Sequence, residues 1–434
     1  EGGRMITQSQ SMPSLLQAQG SSKRKCCPEG LEGSLLPLLQ APLRRKGGFE
    51  AKRVRSFGDL SLPLMPKSAD HQVPTGFPAS PSTSSDEEAA VPVSFGGQGE
   101  KSLFEEVALH GWAQAAKNKL FRYDVLQVET KRLRGAYGFV AQLNEGRATK
   151  KRPTEFKVDQ VVQAFDDRKF NFKKAGQDEV LFAFQLEAGL GKSHFEDQAP
   201  VQGSPHLVFI NVSPIEYGHI LLVPNVLGDL PQRLGPENLT LALHMASEAD
   251  NPFFRVGFNS LGAYATVNHL HFQAYYLQEP FPCERCPVQP LGGGKALSRG
   301  RGVKVGLLKD FPVRGIVFEV GNCLEGLGRV VGEVSEALAA RNVPHNLMIM
   351  DRGARVFLFP NRFSHAKAAG EVPSDVLDTG VNPACFEISG HIVLKQRADY
   401  DACDEASAWK LLEHASYPEG EFMQLVDACC GAYL

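Results

Sequence analysis

The 434-residue sequence is short of the features that mark specialised protein classes. It has no unbroken run of about 18 apolar residues, which argues against a membrane-spanning helix. It has no charge excess: 46 Lys and Arg face 49 Asp and Glu, a formal net charge of −3. That balance speaks against a general nucleic-acid binder. Its nine cysteines form an odd, scattered set with no apolar secretory segment before them. Reduced thiols inside a cell are therefore expected, not a disulfide framework. Lys23, Arg24, Lys25, Arg44, Arg45 and Lys46 give the start a transit-peptide character, yet Glu29, Glu32, Glu50 and Asp59 oppose it, because transit peptides avoid acids. The compartment expected is the cytoplasm, with the nucleus left open. What is present is ordinary globular composition, 43% hydrophobic and 22% charged, at a length that predicts two or three structural units.

Residues 1–98 lack periodicity and are rich in Ser, Pro, Gly and charge, so a disordered arm is expected there. Within it, Ser84-Ser85-Asp86-Glu87-Glu88 reads either as an acidic phosphosite or as a plain solvated tail. Order is expected from Ser102. Leu103, Val107, Trp112 and Ala116 share a helical face, and "HLVFINVSPIEYGHILLVP" has the form of a hairpin. A helix begins near Pro236, and strands follow to about residue 277. A Gly/Arg-rich loop at 290–302 divides residues 99–289 from 303–434. Beyond it come a strand in "VRGIVFEV", a helix in "CLEGLGRVVGEVSEALAARN" and a hairpin turning at Asp351-Arg352-Gly353. A strand in "FEISGHIVLK" and two closing helices complete the chain. This order predicts an α+β fold of two related halves, each an antiparallel sheet flanked by helices.

Thr266–Leu277, "TVNHLHFQAYYL", sets His269, His271 and Gln273 among apolar and aromatic residues. If 268–276 is a strand, His269, His271, Gln273 and Tyr275 share one face, and Leu270, Phe272, Ala274 and Tyr276 the other. Three readings fit. The polar face is solvated; or the His-x-His pair binds a metal, for which no third and fourth ligand stand out; or an imidazole attacks phosphorus. For the third, the preceding loop offers Asn259, Ser260, Gly262, Thr266 and Asn268 as donors and flexible backbone around a phosphate.

"HLHFQ" resembles the His-x-His-x-Gln motif of the histidine-triad superfamily, in its transferase branch typified by galactose-1-phosphate uridylyltransferase. "SPIEYGHILLVP" is similar to the hairpin that precedes this motif. "FRYDV", "YGFVAQLNEGR", "KKRPTEF", "NSLGAYATVNHLHFQAYYL" and "NPACFEISGH" extend the likeness to the GDP-L-galactose phosphorylase family of plants and algae, related to animal GDP-glucose phosphorylases. It covers about residues 103–430.

The resemblance implies that His271 attacks the α-phosphorus of a GDP-hexose, that a sugar 1-phosphate leaves, and that inorganic phosphate releases GDP from a guanylyl-histidine. Gln273 stands where hydrolytic relatives carry a third His, which implies transfer. His269 is implied to orient the site, Asn259, Thr266 and Asn268 to contact phosphates, and Arg147, Lys151 and Arg152 to lie by the nucleotide. The guanine-recognising group stays open, with Glu145 and Asp124 as candidates. His219 and His391 are expected to be structural. Cys283-x-x-Cys286 is half a zinc site without a second half, so no metal or other cofactor is expected. Related folds commonly dimerise, so a homodimer is a further expectation. Alternatives are a phosphorylase for GDP-D-glucose or a dinucleoside polyphosphate, and a non-catalytic regulatory protein on the same fold.

Overall fold

The computed structural model describes residues 101–150, 159–187, 192–196, 205–291 and 302–434. The arm 1–98, Lys151, Arg152 and most of the 290–302 loop lie outside the described residues.

Among the described residues, fourteen strands form two sheets. A small sheet holds β1 (Glu129–Arg132) and β2 (Val140–Leu143). The large sheet takes β3 (Val180–Glu187), β4 (Lys192–Glu196), β5 (Leu207–Ile210), β6 (Ile220–Val223), β7 (Phe254–Asn259) and β8 (Phe272–Tyr276) from the first half. From the second half it takes β9 (Val288–Pro290), β10 (Lys304–Leu308), β11 (Ile316–Glu319), β12 (His345–Met350) and β13 (Arg355–Pro360). The last strand, β14 (His391–Leu394), joins the small sheet. The large sheet has 11 strands in the order β4-β3-β5-β6-β8-β7-β12-β13-β11-β10-β9, all neighbours antiparallel.

The expected two halves are visible in that order. Each contributes two strands, a helix and two strands, the helices being α1 (Pro236–Ala249) and α2 (Leu324–Ala340). In each half the fourth strand inserts between the second and third. The two sheets are not separate, however: β7 pairs with β12 and makes them one. Helices α1 and α2 cover one face together with Leu103–Lys117, which starts at Ser102, whose Oγ accepts the Glu105 N–H at 3.1 Å. Leu270, Phe272, Ala274 and Tyr276 face that layer and are fully buried. Each large apolar side chain so buried contributes about 2 kcal/mol. Slipping β8 by one residue would turn Gln273 into this layer, so the packing fixes the register of the polar face.

Two local expectations are corrected. The strand expected over 268–276 begins only at Phe272. "FEISGHIVLK" is not one strand but a short helix, α3 (Cys385–Ser389), followed by β14. Glu387 Oε2 accepts the Ala384 N–H at 3.2 Å and caps that helix, and Gly390, at φ +115°, ends it. A Cβ at Gly390 would also sit 2.4 Å from the Pro282 ring. The β3–β4 hairpin extends the first half beyond the strands expected.

At the β7–β12 seam, Asn259 and Asn346 lie directly opposite. Asn346 Nδ2 donates to Asn259 Oδ1 at 2.6 Å and to Ala263 O at 2.9 Å, and its Oδ1 accepts from Asn361 Nδ2 at 2.7 Å. Asn346→Leu leaves buried partners unsatisfied, at about 1–3 kcal/mol each. The variant is expected to lose roughly 2–4 kcal/mol of unfolding free energy, measured as a lowered urea midpoint at unchanged m-value. An unchanged midpoint would show that the network is dispensable.

Candidate functional site

The motif reaches its place through a side chain that sequence patterns do not flag, Gln232, which is 2% exposed. Its Oε1 accepts the His271 N–H at 2.9 Å, and its Nε2 donates to Asn259 O at 2.9 Å and His271 O at 3.1 Å. The Leu270 N–H goes to Leu230 O at 2.9 Å. Backbone groups before Phe272 are thus bonded to residues 230–232 and are not free for a strand ladder, which is why β8 starts late.

His271 is buried, and its Nδ1 lies 2.8 Å from His269 O. A carbonyl only accepts, so Nδ1 carries the proton and Nε2 keeps its lone pair. Burial lowers the His271 pKa to about 4, so the ring is neutral at neutral pH. The Phe172 ring packs 5.1 Å from the imidazole. His269 acts on this arrangement through its carbonyl. Its own Nδ1 accepts the Phe172 N–H at 3.0 Å, and burial, aided by His271, lowers its pKa to about 3.

His271 opens on a cavity of about 1020 Å³, whose wall also includes Gln273, Asn259, Thr266 and Arg147. Pockets for small ligands run to roughly 300–1,000 Å³, so this one has room for a nucleotide-sugar. Gln273 is set by His219, which is fully buried and accepts the Ile215 N–H at Nδ1, 2.8 Å away. Burial holds the His219 ring neutral. Its Nε2 lies 3.1 Å from Asn211 Nδ2, and the His219 side chain is hydrogen-bonded to Gln273. The hairpin bearing His219 turns at Gly218, φ +67°, where a Cβ would meet the Tyr276 ring at 2.7 Å.

Other expected contacts do not reach the cavity. Ser260 Oγ accepts the His345 N–H at 2.9 Å and donates to Leu261 O at 3.0 Å, so it holds a loop rather than a phosphate. Asn268 Oδ1 accepts the Gln232 N–H at 2.9 Å, and its Nδ2 donates to Ala164 O at 2.9 Å. It lines a separate recess of about 30 Å³. Of the guanine candidates, Asp124 caps a short turn by accepting the Leu126 N–H at 2.9 Å, and neither it nor Glu145 lines the cavity. The acids that do are Asp178, Glu179 and Glu387. Glu387, within "NPACFEISGH", and Lys395, at the end of "FEISGHIVLK", are second-half wall residues beyond the site residues expected.

His391 is fully buried, with Nδ1 2.7 Å from the Tyr275 hydroxyl, and serves packing between the sheets. Cys283 and Cys286 are free, buried thiols, and burial pushes both away from the thiolate a zinc site needs. Among the described residues no group of three or more His, Cys, Asp or Glu gathers in a metal-binding arrangement. Among them, too, no helix is long and apolar enough to cross a membrane.

A family model described as GDPGP1-like, N-terminal domain, matches residues 103–275, and one described as GDPGP1-like, C-terminal domain, matches residues 282–434. GDP-L-galactose phosphorylase 1 of Arabidopsis thaliana is 50% identical over 327 residues, covering 75% of this chain and 72% of that protein. GDP-D-glucose phosphorylase 1 of Homo sapiens is 35% identical over 337 residues, covering 74% of this chain and 81% of that one. Among solved structures, yeast Ap4A phosphorylase Apa2 bound to Ap4A has a TM-score of 0.49 at 15% identity, covering 73% of this chain and 98% of that chain. The site just described is therefore carried by a member of the GDPGP1-like family, with both of the family's domains present.

Proposed function

We propose that the chain is a GDP-L-galactose phosphorylase, converting GDP-L-galactose and phosphate to L-galactose 1-phosphate and GDP. The observation that carries this reading is the neutral His271, its Nδ1 proton committed to His269 O and its Nε2 open to the cavity beside Gln273. The likeness to the Arabidopsis enzyme supports the substrate.

In the first step Nε2 forms a bond to the α-phosphorus as the bond from that phosphorus to the bridging oxygen breaks. The electron pair leaves with L-galactose 1-phosphate. A sugar phosphate has a second pKa near 6, so it departs as an anion without a proton donor. That suits Gln273, which donates a hydrogen bond but cannot deliver a proton. In the second step an oxygen of inorganic phosphate attacks the α-phosphorus, the Nε2–phosphorus bond breaks, and GDP leaves. Arg147, Thr266 and Asn259 supply donors to the phosphate oxygens. No step calls for a metal. We further propose a cytoplasmic enzyme on the route to L-ascorbate, acting as a homodimer.

Incubation with GDP-L-galactose, GDP-D-glucose or GDP-D-mannose, with and without phosphate, is expected to release GDP only when phosphate is present. GDP-L-galactose should give the highest kcat/KM, and exhaustive chelation should leave the rate intact. Faster turnover of GDP-D-glucose would move the chain to the specificity named for the human relative; no release from any GDP-hexose would end the proposal. His271→Asn is expected to abolish labelling of the protein by GDP-hexose radioactive in its nucleotide, a loss of roughly 10³-fold or more. Label retained on that variant would rule out this nucleophile.

The pH profile follows from burial. His271 has its pKa lowered to about 4, below the ordinary 6.5. Its nucleophilic, neutral form therefore persists above that value and is lost as pH falls through it. Single-turnover guanylylation should stay flat from about pH 8 down to about pH 5.5. A fall centred near 6.5 would show an ordinary, solvated imidazole instead.

A further inference from the structure

Two cations meet at one edge of the small sheet, and they come from opposite halves of the chain. Strand β2 pairs in parallel with β14, Leu143 opposite Leu394, and the Asn144 N–H continues the ladder to Leu394 O at 2.8 Å. Lys395 stands immediately past Leu394, and Arg147 stands four residues past Leu143, in the short helix Glu145–Lys150. The carboxyl ends of parallel strands are where ligands bind in open sheets. Both side chains line the cavity that holds His271.

Each is held from behind by backbone oxygen. The Arg147 N–H donates to Asn144 Oδ1 at 3.0 Å and its Nη1 to Ser213 O at 2.6 Å. Lys395 Nζ donates to Gly380 O, which leaves two of its three donors. Burial disfavours the Lys395 charge most; Arg147 and Lys367 add repulsion, and Glu387 draws it the other way. The cavity wall carries Arg122, Arg147, Lys174 and Lys395 against Asp178, Glu179 and Glu387, a net positive lining. An anion between the cations would relieve their repulsion.

We propose that Lys395 and Arg147 together form one anion subsite, which holds the β-phosphate of the GDP-hexose in the first step and inorganic phosphate in the second. The proposal rests on the phosphorolysis described above. Its two steps require a shared subsite. In-line attack by Nε2 expels the β-phosphate from the face of the α-phosphorus opposite the imidazole. Expelling Nε2 in the second step requires attack on that same face, so the incoming phosphate takes the place the β-phosphate left. Its phosphorus becomes the β-phosphorus of GDP, and atoms balance without a further reactant.

Lys395→Met and Lys395→Arg test this. The guanylyl-enzyme is formed with GDP-L-galactose labelled in the nucleotide, then discharged by phosphate or by water alone. Lys395→Met is expected to slow guanylylation and to raise the KM for phosphate in discharge by roughly 10- to 100-fold, the weight of one charge-assisted hydrogen bond. Discharge by water, which places no anion in the subsite, should stay within about twofold of the parent protein. Lys395→Arg should recover most of the phosphate affinity, and the thermal midpoint of either variant should match the parent. An unchanged KM for phosphate in Lys395→Met would overturn the assignment. So would equal losses in phosphate and water discharge, which mark a structural residue. Absence of any adduct on the unmodified protein would remove the phosphorolysis reading itself, a failure separable from that of the subsite.

Discussion

Everything functional in this molecule depends on the pairing of β7 with β12. Across that seam Asn346 donates to Asn259, and the Cys385 N–H donates to the same Asn259 Oδ1 at 2.8 Å. One amide oxygen thus ties together the strand before the histidine motif, the matching strand of the second half, and the helix carrying Glu387. A fully satisfied buried polar network fixes a unique geometry, because any slippage orphans its members. Asn259 also lines the cavity, so the seam and the site share a residue.

The seam explains why one chain builds one such site from two related halves. By position in the sheet, β13 is the counterpart of β8. Where β8 presents Gln273 two residues after His271, β13 presents Val356, Phe357, Leu358 and Phe359, all fully buried. The second half carries no imidazole at that position. Its contribution lies in α3 and β14, which return to the first half and bring Glu387 and Lys395 to the cavity wall.

What could be read from the sequence was what is contiguous in it. His269, His271 and Gln273 fall within five residues, and alternation separates their face from the packing residues around them. The hairpin before them and the strand-strand-helix-strand-strand order of the first half are legible for the same reason, since apolar periodicity is local, whereas β10 of the second half goes beyond the strands expected. Ser260 and Asn268 were misassigned because polar side chains beside a nucleophile have two uses. They can bind substrate or hold the loop that presents the nucleophile, and only their partners tell which. Here both hold backbone. The start of β8 was misplaced because Gln232, in a loop without a motif, takes the hydrogen bonds a longer strand would have used. Asn346 and Lys395 were invisible because their meaning comes from strand pairings between distant segments.

These pairings also resolve an electrostatic conflict. A histidine that attacks phosphorus must keep its lone pair, so it must stay neutral, and burial achieves this for His271. A site for phosphates must instead be positively charged, and a cation against the imidazole would lower its basicity and with it its nucleophilicity. The structure separates the two demands. The triad strand carries no cation among Phe272–Tyr276, and His271 is flanked by the Phe172 ring. Positive charge on the cavity wall comes from Arg122, Arg147, Lys174 and Lys395, of which Arg147 and Lys395 lie past the ends of strands in a different sheet. The first half supplies the neutral nucleophile and Arg147, and the second half supplies Lys395 to the same cavity. Fusion of the halves is thus more than a way to bury two sheets. It allows a dry, uncharged nucleophile and a charged phosphate subsite to share one cavity.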